Sequence, residues 1–317
     1  MCGIFGFAKT SEKQNDNQLE ILKRLLTELT DESSIRGTDS TGFSIINPKA
    51  RYTYKTLMDS SELVDSKDWS IILDKVDRKT TIAMGHVRLA TTGDVKLENA
   101  HPFNIGDVTG VHNGIIHNYN YVASSMGKPS PDVDSQVLFQ SLNRNEMSKA
   151  FEDINGDFAI TWVKDSNKKV HLARESGRPM VVSYWKKARV LFWASTRNIM
   201  EEAMIRAGLR LPITNVPEDY IFTYDTDSFD GRTNHDTVGF ETISQDDYLY
   251  TSYYNWGGTK YYTSPATKYL NSNAGRTKKC DYCYEYVPQA EVWMDGYNRN
   301  VCFDCEYIEG VSTCDKK

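Results

Sequence analysis

Cys2 follows the initiator methionine directly, in the run Met1-Cys2-Gly3-Ile4-Phe5-Gly6-Phe7. Cysteine is small enough for the initiator to be trimmed, which leaves a thiol and a free α-amine on one residue. That residue is a nucleophile with its own base: the sulfur attacks, and the amine, directly or through a water, takes the proton. An α-amine titrates at about pH 8, so at neutral pH its protonated form also favours a thiolate. On this stretch alone, an N-terminal strand with an incidental thiol is an equal alternative. A second constellation lies at the far end. Cys280-Asp-Tyr-Cys283 and Cys302-Phe-Asp-Cys305 form two C-x2-C pairs with eighteen residues between them. That spacing predicts a tetrahedral four-thiolate zinc site of ribbon or knuckle type. With all four positions filled the zinc is structural, and so small a segment depends on the metal to fold. Cys314 is left over as a free thiol.

The elements that must position these groups are legible in outline. Leu19, Leu22, Leu25, Leu26 and Leu29 predict an amphipathic helix over 17–29, capped by Asp16 or Asn17. A glycine-bearing loop (35–42) and a strand (43–46) follow, and 59–77 is partly helical. A short strand at 80–84 runs into the polar segment 85–93. A strand at 108–111 leads into His112-Asn113-Gly114. These are polar groups at strand ends, where a scaffold presents reactive chemistry. Helices are predicted from Asp134 to Leu142 and around 147–154. In 157–163, alternation puts Phe158, Ile160 and Trp162 on one face. Further strands fall at 170–173, 180–184, 190–194 and 220–224, with a helix capped by Ser195 or Thr196 running to Ala207. The pattern predicts an α+β layered domain over 1–230. An acidic and then Tyr-rich linker (231–274) and a four-cysteine module (275–317) complete the plan.

Composition narrows the function classes. With 39% hydrophobic and 12% aromatic residues the chain can bury a core. A net charge of −6 gives no basic field for nucleic acid. No apolar run is long enough for a bilayer, and Lys9, Glu12 and Lys13 break up any signal peptide. The expectation is a cytoplasmic protein with no membrane partner. One lone cysteine at residue 2 and five between 280 and 314 fit catalysis and metal binding better than disulfides.

Taken together, residues 2–225 resemble the class II glutamine amidotransferases, N-terminal-nucleophile hydrolases with a four-layer αββα sandwich. The motifs that carry the resemblance stand in the right order: Cys2-Gly-Ile-Phe-Gly, Arg36-Gly-Thr-Asp-Ser-Thr-Gly, Gly85-His-Val-Arg-Leu-Ala-Thr-Thr-Gly, Asn99-Ala-His-Pro, His112-Asn-Gly-Ile-Ile and Asp134-Ser. The resemblance implies attack of the Cys2 thiolate on the side-chain amide of L-glutamine, a γ-glutamyl thioester and free ammonia. It assigns the oxyanion to Asn113 and the N–H of Gly114. Arg88, aided by Thr91, takes the α-carboxylate, and Asp134 takes the α-ammonium. His101 shapes the pocket and Arg36 braces its wall. Without the other motifs Asn113-Gly114 is an ordinary hairpin turn, Arg88 a surface ion pair and Asp134 a helix cap. A papain-like Cys–His pair using one of His86, His101 or His112 is the less favoured base. Sugar-aminating relatives often carry Trp and His where this chain has Leu89 and Thr92, which puts coupling to ammonia transfer in question.

After residue 230 no phosphate loop, dinucleotide fingerprint or room for an acceptor domain is found. The expected function is therefore a glutaminase subunit that hands ammonia to a separate acceptor enzyme. The alternatives are a stand-alone glutaminase or amidase, and a non-catalytic binding protein that uses its zinc tail for assembly. Acidic residues outnumber basic ones in that tail, which favours protein over nucleic acid as its partner.

Overall fold

The computed structural model describes residues 2–227 except 12, 165–167, 176 and 219, and short strands within 241–302. From Gly3–Lys9 (β1) the chain enters helix Asp16–Glu32 (α1). The cap of α1 is Asn15, one residue before either expected cap: its side chain accepts from Gln18 N–H while Gln18 reaches back to the Asn15 N–H. This reciprocal pair satisfies two orphan donors at once, which neither Asp16 nor Asn17 achieves. Strands Ser40–Asn47 (β2) and Ala50–Thr56 (β3) form a hairpin, followed by helices Ser60–Val64 (α2) and Lys67–Asp74 (α3). Next come strands Ile82–Arg88 (β4), Phe103–Ile105 (β5) and Val108–Ile116 (β6). Helices Tyr119–Ser125 (α4), Ser135–Arg144 (α5) and Met147–Ala150 (α6) lead to strands Gly156–Val163 (β7), Lys169–Arg174 (β8), Val181–Trp185 (β9) and Val190–Ala194 (β10). Helix Arg197–Ala207 (α7), capped by Thr196, precedes strands Ile213–Asn215 (β11), Tyr220–Asp225 (β12) and Glu241–Ile243 (β13).

These strands make two sheets. One runs β11-β9-β10-β1-β4-β2-β3, the other β13-β12-β8-β7-β6-β5. Pairing is antiparallel except between β12 and β13. The period-2 rule decides the layers. On β1, Ile4 and Ala8 turn to one side and meet Val111, Ala159, Val163 and Leu172 of the other sheet in a shared apolar layer. Phe5 and Phe7 turn to the other side and pack against Leu22, Leu25 and Leu29 of α1 and Met200 and Met204 of α7. The second sheet buries Phe158, Ile160 and Trp162 against Leu138, Phe139 and Leu142 of α5. Helices thus cover the outer faces of both sheets.

Two sequence expectations change. The segment Gly85-His86-Val87-Arg88 is the body of β4 and not a loop after it. Asn113-Gly114 sits inside β6, paired with Ala159 and Phe158 of β7, so it makes no hairpin turn. In both cases the strand runs on past the end predicted from its apolar run, with the polar residues held in the sheet register. The third strand of the β2–β3–β4 arm, β3, is absent from the sequence expectation because its Arg-Tyr-Thr-Tyr-Lys run has few aliphatics; it is half-buried at a sheet edge.

Candidate active site

β1 lies between β10 and β4, with Gly3 opposite Val87 and Ile4 opposite His86. This register brings Cys2 to the end of β4 that carries Arg88. The Cys2 thiol donates to the Leu89 carbonyl at 3.5 Å. The Arg36 guanidinium, nine-tenths buried, donates through Nε to the Cys2 carbonyl at 2.8 Å. Burial pushes the thiol above its ordinary value; the Arg88 guanidinium opposes this and the Asp134 carboxylate adds to it. Burial thus favours the protonated thiol, and its attack calls for a base.

Arg88 is 3% exposed, so the surface ion pair is excluded. Its Nη1 donates to Asp94 O at 3.0 Å and its Nη2 to Thr92 O at 2.6 Å and Gly93 O at 3.4 Å. The guanidinium therefore shapes the 92–94 loop. A guanidinium has five N–H donors, so those not given to the loop are available for a carboxylate. Thr91 is exposed on the same loop.

Asp134 sits at the N-cap position of α5 but makes no side-chain cap there. Its Oδ2 instead accepts from Ile116 N–H of β6 at 2.7 Å. Its neighbour Ser135 places Oγ 2.7 Å from His112 Nδ1. The start of α5 is thus fastened to β6 on both sides of Asn113 and Gly114. Asn113 is 1% exposed, and its Nδ2 has no hydrogen-bond partner among the described residues. A buried donor left open is costly unless a ligand uses it. Gly114 has no room for a side chain: a Cβ there would fall 1.9 Å from Asp157 O and 2.7 Å from His112 Nε2.

The three histidines behind the site are fully buried. His86 Nε2–H donates to His112 O at 2.9 Å, tying β4 to β6. His101 stacks on His86 with ring centroids 4.0 Å apart. Burial lowers His86 to about 3 and His112 to about 4, and takes His101 well below its ordinary value. Both ring nitrogens of His101 and the Nε2 of His112 have no hydrogen-bond partner among the described residues, so these buried, neutral rings act as packing members of the wall.

Three participants escaped the sequence reading. Ser135 and Asp39 stand inside the quoted motifs, but only contacts reveal what they hold. Arg178, between β8 and β9, acts electrostatically on both Arg36 and His112; Arg178-Pro179 offers no spacing signal that links it to Cys2. Of the metal site, Cys280, Cys283 and Cys305 lie outside the described residues. Cys302 ends strand Asn300–Cys302, which pairs with Val292–Met294, while Thr277–Lys279 pairs with Tyr286–Pro288.

Residues 86–202 match the family model described as a glutamine amidotransferase domain. Among curated proteins, the glutamine–fructose-6-phosphate aminotransferase (isomerizing) of Staphylococcus epidermidis is 27% identical over 196 residues, covering 57% of this chain and 30% of that protein. The Bacillus subtilis protein of the same name is 29% identical over 199 residues, with 57% and 30% covered. The Helicobacter pylori one is 27% identical over 213 residues, with 63% and 33% covered. The chain spans about a third of the length of these relatives. Two solved structures share the fold. Glutamine phosphoribosylpyrophosphate amidotransferase from Bacillus subtilis, complexed with ADP and GMP, superposes with a TM-score of 0.53 at 19% identity, covering 71% of this chain and 47% of that one. The structure described as the allosteric regulatory enzyme of purine biosynthesis gives 0.55 at 19% identity, with the same coverage. Among the described residues no helix is long and apolar enough to cross a membrane.

Proposed function

We propose that the glutamine amidotransferase domain carried by this chain hydrolyses the side-chain amide of L-glutamine with Cys2 as its nucleophile, within an N-terminal-nucleophile hydrolase fold. Once Met1 is removed, the α-amine of Cys2 takes the thiol proton. The thiolate forms a C–S bond to the amide carbon, and the carbonyl electron pair moves onto oxygen. The Asn113 side-chain N–H and the Gly114 N–H donate to this oxyanion, each worth about 3 kcal/mol of transition-state stabilisation. The ammonium of Cys2 then protonates the leaving nitrogen, the C–N bond breaks, and ammonia departs from a γ-glutamyl thioester. Water attacks the thioester, its proton passes to the amine, and glutamate leaves as the thiol is restored. Arg88 and Thr91 hold the α-carboxylate, and the free oxygen of Asp134 holds the α-ammonium. Arg36 and His101 keep the wall in place.

The observation that carries this reading is that the β1–β4 register sets Cys2 at the Arg88 end of β4, with its thiol on the Leu89 carbonyl. The charges of Arg88 and Asp134 both act on that thiol, a cation and an anion as a zwitterionic substrate demands. The α-amine is the base because it sits on the nucleophilic residue itself, while burial keeps His86, His101 and His112 well below their ordinary proton affinity.

The ammonia goes to a separate acceptor enzyme. Support comes from the curated relatives, whose names join glutamine to amination of a second substrate and which are about three times as long as the matched segment. Water as sole acceptor is the other reading, favoured by Leu89 and Thr92 on the loop over the site. The four-cysteine segment holds a structural zinc. Its thiolate donor set suits that ion, and the strands Thr277–Lys279 and Tyr286–Pro288 stand on either side of Cys280 and Cys283 in the sequence. Such a module serves protein docking, and the protein works in the cytoplasm.

Mass spectrometry after incubation with the glutamine-like electrophile diazo-oxo-norleucine tests the central step. One adduct on Cys2, with Met1 absent, is expected. Labelling elsewhere, or none on a chain whose Cys2 amine is free, overturns it.

A further inference from the structure

The segment 36–39 grips the nucleophile from both ends. Arg36 Nε–H holds the Cys2 carbonyl at 2.8 Å. The next residue, Gly37, lies flat against the peptide that joins β4 to its loop: a Cβ there would fall 2.4 Å from the Arg88 carbonyl carbon and 2.5 Å from Leu89 N. Asp39 completes the grip with two hydrogen bonds. Its N–H donates to Arg88 O at 2.9 Å, and its Oδ2 accepts from Ala90 N–H at 2.7 Å. The residue between them is Leu89, whose carbonyl accepts from the Cys2 thiol. The Leu89 side chain is 41% exposed, and most of 91–98 is exposed too. Exposed loops with few buried contacts open at low cost.

We propose that Asp39 is a positioning residue for the reaction: it clamps the Leu89 peptide so that its carbonyl fixes the direction of the Cys2 sulfur. The inference rests on Cys2 being the nucleophile and adds the element that aims it. Its role is geometric. Arg88, Asp134 and Arg36 all interact electrostatically with Cys2; what Asp39 supplies is an acceptor at the right place for Ala90 N–H. An asparagine has an acceptor at the same distance and no charge. A glutamate keeps the charge and moves the acceptor by one methylene.

The full-length variants D39N, D39E and D39A separate the two properties. Amide hydrogen exchange at Ala90 reads the clamp, and kcat and KM for glutamine hydrolysis read its consequence. D39N is expected to keep Ala90 protection and kcat within about threefold of the parent. D39E and D39A are expected to exchange at Ala90 at least about tenfold faster and to lose about 100-fold in kcat with little change in KM, the size of effect that a misplacement of about 1 Å produces. Faster exchange with an unchanged kcat, unchanged exchange in D39E, or a D39N as impaired as D39E each overturns the proposal. If the parent protein takes no diazo-oxo-norleucine adduct on a free Cys2, the hydrolase reading fails, while exchange at Ala90 still decides whether Asp39 is a clamp.

Discussion

His112 Nδ1 stands 2.7 Å from Ser135 Oγ, and this contact joins the strand that carries Asn113 and Gly114 to the helix start that carries Asp134. Each of the two residues neighbours a group assigned to the substrate. The pair therefore sets the distance between the oxyanion donors and the carboxylate that faces the α-ammonium. A buried polar pair of this kind costs about 1–3 kcal/mol when one partner is removed and the other is left unsatisfied. S135A should lower the thermal midpoint by a few degrees, about 2–4 °C per kcal/mol for a domain of this size. It should also lower kcat/KM for glutamine without altering Cys2 alkylation by iodoacetamide. Calorimetry with steady-state kinetics checks both.

Asn113 presents a buried donor with no partner among the described residues, so its replacement should touch the transition state more than the ground state. N113A should lower kcat by about 100- to 1,000-fold with a small change in KM. A rise in KM at constant kcat would instead make Asn113 a substrate-binding group. G114A has a different expected outcome. Its Cβ would meet Asp157 O at 1.9 Å, so β6 and β7 must separate and the protein should lose stability, visible as an earlier denaturant midpoint.

Asp134 can be tested without disturbing its structural bond. D134N keeps an acceptor for Ile116 N–H and removes the charge. KM for glutamine should rise by about tenfold or more, since a charge-assisted contact is worth about 1.5–3 kcal/mol. The thermal midpoint should stay close to that of the parent. A variant with unchanged KM would remove Asp134 from the ammonium site.

Buried histidines give the fold a pH dependence with a definite sign. In the unfolded chain an imidazole takes a proton below about pH 6.5. In the folded protein burial keeps His112 neutral down to about 4, and His86 and His171 down to about 3. Between those limits the unfolded state binds more protons, so stability is full above about 6.5 and falls as the pH falls. Each histidine contributes about 1.4 kcal/mol per pH unit in that window. Thermal midpoints measured from pH 7.5 to 4.5 should show the decline, and H171Q should make it shallower. A flat profile would contradict the burial of these rings.

Metal analysis of the purified chain should return about one zinc per molecule, bound by Cys280, Cys283, Cys302 and Cys305. Replacing Cys283 with serine should release it while leaving glutamine hydrolysis intact. A metal-free protein with an unchanged tail would end that proposal.

How much of this was legible beforehand depends on range. The pairing of Leu22, Leu25 and Leu29 on one helix face, and of Phe158, Ile160 and Trp162 on one strand face, follows from local periodicity and is found in the structure. The order of the short motifs singled out Cys2, Arg88, Asn113 and Asp134 as a set. The same local reasoning ended the strands at 84 and 111, short of Arg88 and Ile116, because histidine, arginine and asparagine do not look like strand residues until a second sheet covers them.

What the sequence determined by itself was the chemistry on offer: a thiol at residue two, a cation and an anion suited to an amino acid, and four thiols at zinc spacing. Only the tertiary structure decided how these groups are held. Arg88 spends three donors on its own loop, Asp134 turns from its helix to β6, and Asp39 reaches across 51 residues to Ala90. Such partners are fixed by strand register and by the approach of two sheets. Both depend on contacts between segments far apart in the chain, which no local pattern encodes.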